Sequence, residues 1–89
     1  MSVVSKTIKY LLDKNISVST AESCTGGLLA AEFTAVSGIS KIYKTGLITY
    51  SNDSKIKNLK VKPSTIKRYG AVSRQVCAQM CLHLHKISK

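Results

Sequence analysis

Apolar residues recur at helical spacing from the start of the chain. Val4, Ile8, Leu11 and Leu12 share one side of residues 2–14, with Lys6, Lys9 and Asp13 on the other, which predicts an amphipathic helix stopping at Asn15. The period then changes to two: Ile16-Ser-Val-Ser-Thr-Ala21 alternates apolar with small polar residues and reads as a short strand. It runs into the turn Glu22-Ser-Cys-Thr-Gly-Gly27, after which LLAAEFTAV (Leu28 to Val36) favours a buried helix whose N-terminal amides belong to Thr25, Gly26, Gly27 and Leu28. Residues 37–40 read as a loop, and Ile42 to Tyr50 as a second strand in which Gly46 marks a bulge or a close backbone approach. Ser51-Asn52-Asp53 offers cap chemistry for a short helix to about Leu59, and Pro63-Ser-Thr begins another turn that Gly70 ends. Ser73 caps a last helix with a stripe of Val76, Met80, Leu84 and Ile87; Cys77 and Cys81 widen that stripe and are expected in the core.

Length and charge narrow what such a chain can do. Eighty-nine residues, 44% hydrophobic with 6% aromatics and no Trp, build one small domain of modest core and exclude a multidomain enzyme. The net charge of +10 is unevenly placed: Lys6, Lys9 and Lys14 balance Asp13, Glu22 and Glu32 in the first forty residues. Residues 41–68 carry Lys41, Lys44, Lys55, Lys57, Lys60, Lys62, Lys67 and Arg68 against Asp53 alone. That stripe serves as a solvated face or attracts phosphate. Cys24, Cys77 and Cys81 form no CxxC pair, and no apolar run suits a signal or a membrane span, so a soluble protein of the reducing cytoplasm is expected, with no membrane partner. His83 and His85 point to different helical faces and make a poor metal set with Cys81, so no metal is expected.

Two segments concentrate polar residues at strand C-terminal ends, Glu22 to Gly27 and Thr49 to Lys55. That edge of an open α/β sheet is where ligands bind, because the helices that follow present unpaired amides and a positive dipole end. The first segment is a candidate anion or oxyanion site, with Ser23, Cys24 or Thr25 as nucleophile and glycines that let a ligand approach the backbone. Lys55 falls in the first turn of its helix, where the dipole disfavours an ammonium; such a lysine suits the base of a Ser-Lys hydrolase. The plain reading is a strand-to-helix connection with a good cap, and Tyr50 is either a strand aromatic or a stacking platform.

The runs Thr20-Ala-Glu-Ser-Cys-Thr-Gly-Gly27, Ser37-Gly-Ile-Ser-Lys41, Gly46-Leu-Ile-Thr-Tyr-Ser-Asn52 with Lys55, and Gly70-Ala-Val-Ser73 resemble the CinA C-terminal domain, the nicotinamide-nucleotide amidase family. Paired glycines before the second strand's apolar run are usual in that family, and here Thr45-Gly46 stands there. The resemblance implies a three-layer α/β/α domain and hydrolysis of nicotinamide mononucleotide to nicotinate mononucleotide and ammonia, without metal or organic cofactor. It casts Ser23 as the acylated nucleophile and Lys55 as its base. Thr25, Gly26 and Gly27 would shape the oxyanion or phosphate pocket, and Tyr50, Ser51 and Asn52 would line the substrate side. The resemblance covers about the first half of that domain, so residues 1–89 are expected as a partial domain, helices plus about two strands, without the family's later strands and glycine-rich loop. Such a piece leaves sheet edges open and calls for a complementary half-domain or a second copy as partner. A non-catalytic remnant or small basic binding module is the alternative; aromatic interleaving and nucleic-acid motifs are absent, which argues against nucleic acid as its partner.

Overall fold

The computed structural model describes residues 2–88; Met1 and Lys89, the ends of the 1–89 span, lie outside the described residues. Helix α1 (Val3–Asp13) opens on the Ser2 hydroxyl, which accepts the Ser5 amide at 3.1 Å. It stops where expected. Asn15 takes a left-handed φ of 55°, and the amides of Asn15 and Ile16 return to the carbonyls of Leu12 and Leu11. The chain then runs β1 (Val18–Glu22), α2 (Leu28–Thr34), a 3-10 turn (Ile39–Lys41), β2 (Tyr43–Ile48), α3 (Asn52–Leu59), α4 (Pro63–Tyr69) and α5 (Arg74–Ser88).

β1 and β2 pair in parallel with α2 as the crossover, a βαβ unit. Helices cover both faces of the pair. On one, Ile8 of α1, Phe33 of α2, Ile39 and Ile42 form a core against Val18 and Tyr43; on the other, Leu59, Val61, Val76, Met80 and Leu84 pack with Ala21, Leu47 and Ile66. The fold is thus α/β with three layers, as expected. Among the described residues no helix is long and apolar enough to cross a membrane.

A bulge reconciles the two cores. Val18 pairs with Tyr43 but Ser19 pairs with Thr45, so Lys44 is an extra residue in β2. Without it Tyr43 and Leu47, four apart, would share a face; with it Tyr43 stacks on Phe33, ring centroids 5.1 Å apart, while Leu47 joins the opposite core. Gly46 is therefore the close approach rather than the bulge: a Cβ there would run into the Tyr43 hydroxyl and lie 3.2 Å from Thr20 Oγ1.

Other expectations need correction. Residues 39–41 form a helical turn that buries Ile39, and the segment from Pro63 is a true helix ended by Gly70 at φ 84°. α2 is not a buried helix: only Phe33 is buried, and Leu28 and Leu29 are exposed. Cys77 and Cys81 are exposed, not core, and Ile87 is exposed as well. Val76, Met80 and Leu84 fill the seam against Leu59 and Val61, and each cysteine sits one residue further on, about 100° around the helix.

Candidate active site

The parallel register brings the two polar segments together. Glu22 and Ile48 are the last pair, and the Thr49 amide donates to the Glu22 carbonyl at 2.8 Å, extending the ladder by one bond. Ser23 and Thr49 therefore leave the same edge of the sheet side by side. The glycine turn folds back over it: Gly27, at φ 99°, brings its backbone so near that a Cβ would lie 3.0 Å from Ile48 Cδ1.

Glu22 organises this edge, although only its neighbours stand out in the sequence as chemistry. Its carboxylate is buried, and Oε1 accepts the Thr25 hydroxyl and the Leu29 amide, each at 2.8 Å, while Oε2 accepts the Ala30 amide at 3.0 Å. Burial pushes the carboxyl pKa up, but hydrogen bonds from Thr25, Leu29, Ala30 and Gly27 outweigh it and hold the group below its ordinary range. Of the amides expected at the α2 terminus, that of Gly26 donates to the Ser23 carbonyl and that of Leu28 to the Thr25 carbonyl, while the Leu29 and Ala30 amides that follow are taken by Glu22. The anion at this helix end belongs to the protein itself. The signal in the sequence was an acidic residue just ahead of the glycine pair and the apolar run.

The second segment places a cation where cations rarely go. Lys55 is 2% exposed, and its Nζ donates to the Tyr50 carbonyl at 3.1 Å. The other cations of the middle segment, Lys41, Lys44, Lys57, Lys60, Lys62, Lys67 and Arg68, are exposed. The stripe is exposed, with Lys55 set apart by burial. Ser51 caps α3 as expected, its hydroxyl accepting the Ser54 amide at 3.0 Å, and Asn52 begins that helix in the open. The Tyr50 ring is exposed, Ser23 is half-buried, and Cys24 is an exposed free thiol.

Two clefts lie elsewhere. One of about 300 Å³ is lined by Ser17, Ser19, Lys44, Cys81 and His85, around the start of the strands; another of about 530 Å³ lies between α1 and α2. Neither is lined by Ser23 or Lys55. Among the described residues no three His, Cys, Asp or Glu side chains gather to hold a metal.

Comparison with known proteins converges on one family. Residues 1–89 match the CinA C-terminal domain. A competence-damage inducible protein of Acetivibrio thermocellus is 50% identical over 80 residues, and one of Clostridium novyi 51% identical over 80. Each match takes in 90% of this chain and 19% of the relative. Among solved structures, competence/damage inducible protein CihA from Agrobacterium tumefaciens superposes with a TM-score of 0.85 at 37% identity, covering 97% of this chain and 58% of that one. The competence damage-inducible protein A from Klebsiella pneumoniae gives 0.89 at 30% identity, covering 96% and 53%. The chain thus spans about a fifth of the curated relatives' length and rather more than half of these solved chains.

Proposed function

Because the chain belongs to the CinA C-terminal domain family, we propose that its strand ends carry a Ser-Lys amidase site acting on the carboxamide of nicotinamide mononucleotide. The observation that carries this reading is the burial of Lys55 beside the sheet edge from which Ser23 emerges. A lysine that merely kept the protein soluble would lie in water with its neighbours.

In this reading Ser23 Oγ attacks the carboxamide carbon while its proton passes to Lys55 Nζ. The tetrahedral intermediate collapses by expelling the amide nitrogen, which takes that proton and leaves as ammonia. Water then adds to the acyl-serine, its proton again received at Lys55, and nicotinate mononucleotide is released as Ser23 recovers its hydrogen. No cofactor enters this balance. Glu22 neutralises the α2 terminus and fixes the turn, so Thr25, Gly26 and Gly27 serve as a shaped wall, and Tyr50 and Asn52 stand exposed on the substrate side. The free thiols Cys24, Cys77 and Cys81 suit a reducing cytoplasm.

The test is ammonia release from nicotinamide mononucleotide by the purified chain, alone and supplemented with a polypeptide covering the rest of the family domain. Release that disappears in Ser23→Ala and in Lys55→Ala supports the dyad. Absence of release under both conditions favours the non-catalytic binding module.

A further inference from the structure

Among the buried side-chain polar atoms of the described residues, the Thr49 hydroxyl stands out for having no hydrogen-bond partner. Thr49 is 2% exposed. Buried hydroxyls are almost always paired, because water's hydrogen bonds are lost on burial, and an orphan in an otherwise satisfied fold calls for a missing partner. The neighbouring groups of Thr49 are both committed. Its amide is bound to the Glu22 carbonyl, and the next carbonyl, of Tyr50, holds Lys55 Nζ. The residue therefore lies between the proposed nucleophile's strand end and the anchor of the proposed base.

Strand alternation strengthens the placement. After the Lys44 bulge, Thr45, Leu47 and Thr49 fall at alternate positions, and Leu47 packs in the core built by α3, α4 and α5. Thr49 is thus at a register position on the side of the sheet where α3 carries Lys55, next beyond the Glu22–Ile48 pair and level with Ser23. A hydroxyl both donates and accepts, which matches a carboxamide, whose carbonyl accepts and whose NH2 donates.

We propose that Thr49 is a further substrate-contacting residue of this site, its hydroxyl completing its missing hydrogen bond with the carboxamide of the bound substrate. The proposal rests on the amidase-site reading, and its test separates the two. Thermal midpoints of wild type, Thr49→Val and Thr49→Ser are measured with and without nicotinamide mononucleotide, alongside ammonia release. Expected are a ligand-induced rise in wild type and Thr49→Ser, an unliganded midpoint in Thr49→Val equal to or above wild type, and loss of that variant's ligand-induced rise. Turnover, where present, should fall about tenfold or more in Thr49→Val and stay within about threefold in Thr49→Ser, the range expected for one hydrogen bond left unmade. A ligand-induced rise without ammonia release, both in the chain alone and in the chain supplemented with the rest of the family domain, overturns the amidase reading and leaves the Thr49 contact standing. A full rise retained in Thr49→Val, an unliganded midpoint well below wild type, or no rise in wild type overturns the contact.

Discussion

The Glu22 carboxylate receives the Ala30 amide at 3.0 Å across eight residues of chain, tying the end of β1 to the first turn of α2 over the glycine turn between them. With the Leu29 amide and the Thr25 hydroxyl on the other oxygen, one side chain holds the segment that presents Ser23. Glu22→Gln keeps the shape but turns an NH2 toward one of these donors, so donor meets donor in a buried place. The expected cost is on the order of 2 kcal/mol, read as a lower urea midpoint with unchanged slope. A midpoint equal to wild type would mean that the turn is held by other means.

The same carboxylate sets a pH dependence. Its folded pKa lies below the ordinary value of 4.5, so the charged form is favoured by folding. The stabilisation is present in full above the unfolded value and is lost as pH falls through the lower folded value. Wild type should therefore lose stability on acidification below about pH 4.5 more steeply than Glu22→Gln, whose neutral side chain removes that part of the slope. Parallel curves would show that the acid sensitivity resides elsewhere.

Gly46 tests the bulged register. A methyl group there meets the Tyr43 hydroxyl, and that ring has little room to retreat, being stacked on Phe33 and hydrogen-bonded to Thr20 at 2.6 Å. Gly46→Ala should cost about 1–3 kcal/mol, as overpacking does. Tyr43→Phe removes the obstructing oxygen, so the double variant should lose less than the two single losses added together, a coupling measured by a thermodynamic cycle. Strict additivity would place Tyr43 away from Gly46.

How far the sequence is legible depends on whether a feature is local. The Asn15 stop, the Ser51 and Ser73 caps and the Gly70 terminator rest on groups a few residues apart, and all are found where expected. The two strands and their polar ends were legible for the same reason. The Lys44 bulge was not, because it exists only in the pairing of β2 with β1. Nor was the role of Glu22, whose partners lie as far as eight residues on, or the exposure of Cys77 and Cys81, since periodicity finds a stripe but not how wide its partner is. That exposure is directly measurable: a thiol reagent should modify both cysteines in the folded protein nearly as fast as Cys24, and Cys77→Ser and Cys81→Ser should each change stability by no more than about 0.5 kcal/mol. Protection of either thiol until unfolding would restore it to the core.

Lys55 offers the sharpest separation of stability from activity. A lysine amine that is 2% exposed and held by one carbonyl has given up most of its hydration, a cost that folding bears for some return. Lys55→Met keeps the length and volume of the stem and removes the buried amine, so the unfolding midpoint should stay level or rise. If the lysine is the proton acceptor for Ser23, ammonia release should fall by about a thousandfold in the same variant, the scale on which positioned acid-base groups act. A structural lysine predicts the opposite pairing, lower stability with turnover scaled only by the folded fraction. Measuring both quantities on one preparation decides between them, because each reading requires the two to move differently.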